Sequence, residues 1–392
     1  MSQTMTIKKN SNIKLDFYPL EYLNPKHVFM PIMDGYKLKV KDNSYVFKES
    51  VLMYTDNNQK VLSPISGVVL GVKDMKYAGG KTIPSLVIEN DFKESVKLKK
   101  SSKKYLEKYN LQDFSDLLID MSLNNILEKL EDKNDIILIN GIEIDTYFAN
   151  KYFYTMDHAE EILEVVDLML ELFNHKKAYI ALLNNNADII NQFYNLMGTY
   201  PNIEIRLLNN TYGMGLDEVL CKNLDINPIT FSVKEIMDVY RVLKKRKPIL
   251  EKYITITGDA VKPRSVIKVR YGTLLSEAFI NNFDFASNLV DVYLNGYIKG
   301  KKINSLNLVI NDDIEGLYIT KKEEKNTSGC INCGQCVKYC PMDLNPKFVL
   351  DKKGIVEDKY KSKCIDCGLC NYVCPSCINL RGLMSGKDEE EI

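Results

Sequence analysis

Hydrophobic and polar positions change their rhythm several times along this chain. From Val28 to Asp91 the apolar residues fall in strand-length runs (VFMPI, YKLKV, YVF, VLMY) broken by Asp34-Gly35 and Asp42-Asn43, and SPISGVVLGV follows Asn57-Asn58. Asp-Gly and Asn-rich breaks between such runs are hairpin signals. The pattern predicts a β module over residues 1–96, with Gly79-Gly80 in a hairpin turn. Lys97–Lys108 (KLKKSSKKYLEK) is basic and polar, a linker entering a helix.

After Asn134 the period alternates between strand and helix. IILI (Ile136–Ile139) reads as a buried strand closed by Asn140-Gly141. The stretch His158–Phe173 places Ile162, Val165, Val166, Met169 and Phe173 at helical spacing. AYIALL (Ala178–Leu183) and IEIRLL (Ile203–Leu208) read as strands, with helices predicted over Ala187–Met197 and Val233–Lys245. Parallel strands need crossovers long enough for a helix, so this order predicts a parallel α/β domain over 97–248. Residues 249–320 then give YITITGDA, VIKVRYGT, a helix in LLSEAFINNF, VDVYLNGYIKG and LNLVI, a small α+β unit. Lys321–Gly329 (KKEEKNTSG) is a polar linker into the region 321–385, and 386–392 (GKDEEEI) is an acidic tail.

Composition adds limits. The chain has 392 residues, enough for two to four domains at roughly 100–200 residues each. It is 45% apolar and 27% charged, a globular rather than disordered balance. Lys+Arg and Asp+Glu both number 52, and without a basic stripe the chain is not expected to bind nucleic acid. No apolar run approaches the roughly 20 residues of a membrane span, and MSQTMTIKKNSNIKL lacks a signal-peptide core. The expected location is the cytoplasm, with membrane association only through partners at its cytoplasmic face.

Cysteine changes the picture most. The first 220 residues contain none, and nine of the ten lie between Cys330 and Cys377. A disulfide framework belongs to small secreted chains, so this clustering points to metal. Cys330, Cys333, Cys336, Cys340 and Pro341 spell C-x2-C-x2-C-x3-C-P, and Cys364, Cys367, Cys370, Cys374 and Pro375 repeat it. In this two-cluster ferredoxin run the fourth cysteine of each set ligates the other cluster. The expected ligands are therefore Cys330, Cys333, Cys336 and Cys374 for one [4Fe–4S] cluster. Cys340, Cys364, Cys367 and Cys370 are expected for the second. Structural zinc would instead use two separated C-x2-C pairs. Gly334 and Gly368 permit the tight loop. Cys377 lies outside both patterns and reads as a spare buried residue, and Cys221 as a core thiol on a helix.

With these runs placed, the chain resembles the RnfC family, a component of the Rnf electron-transport complex. The resemblance rests on SPISGVV (Ser63–Val69), SLVIEND (Ser85–Asp91), ILINGIEIDTY (Ile137–Tyr147), ITITGDAVKPRSVIKVRYGT (Ile254–Thr273) and both cysteine runs. Relatives of that family include the electron-transfer protein associated with proline reductase and the cobalamin reductase of propanediol utilisation. The resemblance implies a multidomain α/β and α+β chain: a barrel-sandwich-like β module, a Rossmann-like FMN- and NADH-type domain, a β-grasp-like domain and a C-terminal two-cluster ferredoxin domain. It implies electron transfer between a donor and redox partner proteins, among them other members of an Rnf-like or amino-acid-reductase system. A docking or adaptor protein with clusters as relay or staple is the alternative.

One departure counters part of this inheritance. The family carries a glycine-rich loop, G-x-G-G-A-G-F-P-T, before the strand equivalent to ILINGIE, cradling FMN phosphate with unobstructed backbone N–H groups. Here Phe114–Asp135 contains no glycine, and its apolar residues fall at helical spacing. The family's Gly-Gly-Pro-Met stretch is also replaced, by NGYIKGKK (Asn295–Lys302), and Gly213 and Gly215 make a weak phosphate loop. The expectation is a helix filling the former pocket, with neither FMN nor NADH retained and no catalytic residue assigned. Glu143 and Asp145 follow a strand end but are then expected in a solvated loop. His158 reads as a helix-start residue and His175 as a C-terminal cap. Without Met-Lys-Met at the β-module turn, no covalent lipoyl or biotin is expected.

Overall fold

The computed structural model describes residues 5, 14–16, 18–96, 109–323, 326–351 and 361–385. The predicted linker over 97–108 and the acidic tail lie outside these residues.

The N-terminal runs form β1 (Leu20–Tyr22), β2 (His27–Pro31), β3 (Lys37–Leu38), β4 (Tyr45–Val46), β5 (Val51–Tyr54), β6 (Lys60–Leu62), β7 (Gly67–Lys76) and β8 (Thr82–Asn90). Two sheets, ordered β2-β8-β7-β4 and β3-β5-β6, enclose Val28, Leu52, Met53, Val69 and Ile88. Gly79-Gly80 closes the β7–β8 hairpin, with Gly80 N–H on the Tyr77 carbonyl.

The α/β domain runs α1 (Leu111–Asp120), α2 (Asn124–Leu130), β9 (Ile136–Asn140), α3 (Asn150–Thr155), α4 (Ala159–Phe173), β10 (Lys177–Leu183), α5 (Ala187–Leu196), β11 (Ile203–Leu208), α6 (Asp217–Leu224), β12 (Ile229–Ser232) and α7 (Val233–Lys245). Its sheet is parallel throughout, in the order β11-β10-β9-β12. Strand order reverses at β9, placing the switch point between the carboxyl ends of β9 and β12, where open α/β sheets bind ligands. The sequence pattern did not reveal β12, because four residues (ITFS) carry no periodic signal of their own. Ser232 and Glu235 form a reciprocal capping box that starts α7 where the pattern placed it.

The third unit contains β13 (Glu251–Thr257), β14 (Val261–Lys262), β15 (Ser265–Arg270), α8 (Leu275–Asn282), β16 (Asp284–Phe285), β17 (Val290–Leu294), β18 (Lys301–Ile303) and β19 (Gly316–Lys321). Its sheet order is β1-β15-β13-β19-β17-β18, and α8 packs Leu275, Ala278 and Phe279 onto it. LNLVI forms no strand of its own. β1 leaves the β module to pair in parallel with β15, so the N-terminal strand completes the third sheet. Arg270 fastens the same junction: it donates to Glu251 at 2.9 Å, to Glu94 at 2.5 Å and to the Leu23 carbonyl at 3.2 Å.

The cysteine region adds short helices α9 (Gln335–Lys338), α10 (Phe348–Asp351), α11 (Leu369–Tyr372) and α12 (Leu380–Ser385). Among the described residues no helix is long and apolar enough to cross a membrane.

Candidate metal centre and the crevice of the α/β domain

Each cysteine run winds as a loop into a single-turn helix, and a left-handed glycine makes the turn: Gly334 (φ 70°) before α9 and Gly368 (φ 77°) before α11. The prolines after Cys340 and Cys374 prevent either helix from continuing. The two loops face each other, and this exchanges their fourth cysteines. One cavity is lined by Cys330, Cys333, Cys336 and Cys374; a second is lined by Cys340, Cys364, Cys367 and Cys370. The remaining walls are largely apolar, with Ile331, Leu350 and Ile378 at the first and Leu344, Ile365 and Met384 at the second.

Burial raises the thiol pKa values in both sets, taking Cys367 to about 11. Mutual repulsion follows the same partition. Cys336 feels Cys374 and Cys333, whereas Cys370 feels Cys367, Cys364 and Cys340. A cation reverses this logic by stabilising thiolates, so metal binding and thiol deprotonation go together. Among the described residues, no three His, Cys, Asp or Glu groups converge on a position for one ion. Four thiols around an apolar cavity are the donor set of a [4Fe–4S] cube.

The two cavities differ in setting. Cys330 and Cys333 are exposed, whereas Cys367 is buried against the other domains. Tyr212 donates to the Cys367 carbonyl at 2.7 Å, and Lys222 to the Pro341 carbonyl at 2.7 Å. Arg381 pairs with Asp366 and donates to the Lys299 carbonyl at 2.7 Å, tying α12 to the β17–β18 loop. Leu216, Val219, Ile298, Cys367 and Leu369 form one apolar cluster across this junction. Gly368 lies flush on the third unit: a Cβ there would sit 2.0 Å from the Ile298 carbonyl oxygen. Sequence patterns did not single out Tyr212, Lys222 or Arg381, because their partners lie 155, 119 and 82 residues away.

The α/β domain has its own crevice of about 320 Å³ at the carboxyl ends of β9 and β10, bordered by Glu143, Asp145, Asn185, Asn186 and Thr211. Among the described residues no Lys or Arg lines it. The expected solvated loop at Glu143 and Asp145 is corrected here. Asp145 is 2% exposed and accepts N–H bonds from Tyr147 at 2.9 Å and Tyr297 at 3.1 Å. Burial pushes the Glu143 carboxyl up to about 7, although Lys151 and the Tyr152 N–H oppose the rise. The helical expectation for Phe114–Asp135 holds as α1 and α2, but these helices do not fill the crevice. Their Phe114, Leu118 and Ile126 enter the core shared with α4 and α7, because that face of the sheet needs covering.

His158 precedes α4 and lies 3.5 Å from Glu161. His175 does not cap α4; Asn174 in left-handed conformation does, while the His175 ring bonds the Leu130 and Asn134 carbonyls at 3.1 and 2.6 Å. Cys221 on α6 is half-buried, 3.9 Å from the Thr230 hydroxyl. Cys377 is half-buried at φ 51°.

Comparison with known proteins agrees with this geometry. Residues 124–240 match the Nuo51 FMN-binding domain, and residues 317–378 match a 4Fe-4S dicluster domain. The first match begins after α1. The RnfC component of the ion-translocating oxidoreductase complex of Buchnera aphidicola is 28% identical over 352 residues, covering 82% of this chain and 74% of that protein. Its counterpart in the Na(+)-translocating ferredoxin:NAD(+) oxidoreductase complex of Acetobacterium woodii is 25% identical over 317 residues, covering 73% and 70% respectively. A solved NAD+-reducing [NiFe]-hydrogenase in its H2-reduced state shares the fold, with a TM-score of 0.50, 10% identity and coverage of 74% of this chain and 62% of that one. Over most of its length the chain is a homologue of the RnfC component of the ion-translocating oxidoreductases, with an iron–sulfur electron-transfer domain at its C-terminal end.

Proposed function

We propose that this chain passes single electrons through two [4Fe–4S] clusters, one held by Cys330, Cys333, Cys336 and Cys374 and the other by Cys340, Cys364, Cys367 and Cys370. The observation that carries the reading is the exchange of Cys340 and Cys374 between the two thiol-lined cavities. Such clusters supply one-electron chemistry at a potential tuned by their surroundings. The protein's part is positional. Tyr212, Lys222, Arg381 and the flush Gly368 hold the second cysteine set against the α/β and third units, while Cys330 and Cys333 leave the first set open to solvent. That asymmetry suits a relay whose outer end meets a redox partner protein, within an Rnf-like or amino-acid-reductase system at the cytoplasmic face of a membrane.

In this reading residues 1–96 form a barrel-sandwich-like module to which β1 does not contribute, 97–248 the α/β domain, 249–320 a β-grasp-like unit and 321–385 the ferredoxin domain. The chain does not itself oxidise NADH. Iron and acid-labile sulfide assayed on anaerobically purified protein test the reading. The expected content is about eight of each per chain; zinc in place of iron, or four of each, refutes it.

A further inference from the structure

The α/β domain matches an FMN-binding family, yet its switch point is already furnished from within. A flavin phosphate needs free backbone N–H groups or a basic clamp. At the switch point the N-terminal amides of α7 face the Glu235 carboxylate, which accepts from Ser232 N–H at 2.8 Å and pairs with Lys129 at 2.7 Å. Asn140, at the end of β9, spends its amide on the Gly215 carbonyl at 3.0 Å and on Asp217 at 2.6 Å. The segment before β9 is helical and offers no glycine cradle.

The cation in this region is the chain's own. Lys151, in the first turn of α3, turns back and donates from Nζ to the Ile142 carbonyl at 2.7 Å. Its electrostatic surroundings are Glu143, Asp217, Glu315 and Glu235, drawn from the β9 loop, α6, the third unit and α7. The neighbouring Asn150 fixes the start of α3 by bonding the Glu315 carboxylate at 3.0 Å and the Thr255 hydroxyl at 2.7 Å. One ammonium among four carboxylates and a carbonyl is a site built for a cation. A phosphate dianion there would meet repulsion from every side.

We propose that Lys151 is the resident ligand of this switch point. Its ammonium occupies an ammonium-binding site formed by the Ile142 carbonyl and the carboxylates of Glu143, Asp217, Glu235 and Glu315, so the α/β domain is complete without flavin. This rests on the proposed relay through the clusters, and it assigns the matched domain a ligand of opposite charge from FMN.

The test uses the full-length holoprotein, purified anaerobically. Lys151→Ala should lower the thermal midpoint by about 3–6 °C, the shift expected for a few kcal/mol in a unit of this size. n-Propylammonium should restore most of that loss, whereas tetramethylammonium at equal ionic strength should not, since it has no N–H to donate. A midpoint unchanged by the substitution, or a loss that no primary ammonium repairs, overturns the proposal. Should Lys151→Ala not fold, Lys151→Met combined with Glu143→Gln replaces it. That pair should be more stable than Lys151→Met alone, and equal stability overturns the proposal. Acid extraction of the wild-type protein separates the two readings. Absence of FMN together with failed rescue removes only the role of Lys151, whereas stoichiometric FMN removes the proposal and the flavin-free relay alike.

Discussion

The internal repeat supplies a matched pair of mutations that isolates the docking of the ferredoxin domain. Gly334 and Gly368 hold the same place in the two cysteine runs, at φ 70° and 77°. An alanine at either must adopt the left-handed region, which costs roughly 1–2 kcal/mol. The surroundings then separate them. A Cβ at Gly334 meets nothing within 4 Å, whereas at Gly368 it would lie 2.0 Å from the Ile298 oxygen and 2.9 Å from its carbonyl carbon. Backbone cannot rotate away as a side-chain tip can, so the loop carrying Cys367 and Cys370 must retreat from the third unit by more than an ångström. Overpacking of this kind adds roughly 1–3 kcal/mol. Gly334→Ala should therefore cost about 1–2 kcal/mol and Gly368→Ala about 2–5 kcal/mol. Because cluster loss is irreversible, the assay is the rate at which visible cluster absorbance bleaches at fixed denaturant under anaerobic conditions. Gly368→Ala should bleach at least several-fold faster than Gly334→Ala. Equal rates, or faster loss in Gly334→Ala, would show that the contact at Ile298 does not hold the second cysteine set in place.

Two further outcomes follow from the same geometry. Tyr212→Phe strands the Cys367 carbonyl without its 2.7 Å partner, a loss of about 1–3 kcal/mol for a buried acceptor. Bleaching of the inner cluster should accelerate while the outer one is unaffected, which reduced-state EPR on timed samples would resolve. Glu251 tests the junction of the β module and third unit: burial raises its carboxyl pKa, but Arg241 and Lys268 overcome this and hold it at about 2. With the folded value below the unfolded 4.5, its contribution is present above about pH 4.5 and fades as pH falls toward 2. Glu251→Gln should thus be several kcal/mol less stable at pH 7, about 3 by linkage, in urea unfolding followed by tyrosine fluorescence. The gap from wild type should narrow between pH 5 and pH 3; a constant gap contradicts the ion-pair account.

How much the sequence disclosed depended on how local each signal was. The cysteine spacing is local, and so are the capping box at Ser232 and Glu235 and the 3.6-residue rhythm of α4 and α7; each could be read from neighbouring residues. Strand β12 was missed because four residues without alternation look like any short apolar run. β1 was misassigned because nothing in Leu20–Tyr22 announces a partner nearly 250 residues away in β15. Asp145 reads as a solvated acid until the N–H of Tyr297, 152 residues on, is found beneath it. The sequence correctly marked the missing glycines of Phe114–Asp135. It carried no hint that α1 and α2 would cover the core and leave the switch point to Lys151, because that outcome depends on which face of the sheet needed a lid.

The central claim, two clusters sharing crossed ligands, is tested most directly by EPR of the dithionite-reduced serine variants of Cys336, Cys374, Cys370 and Cys340. Cys336→Ser and Cys374→Ser should remove the same signal and leave an identical survivor, although their residues come from different runs. Cys370→Ser and Cys340→Ser should leave the other one. If Cys374→Ser instead groups with Cys370→Ser, each run binds its own cluster and the crossed account is wrong.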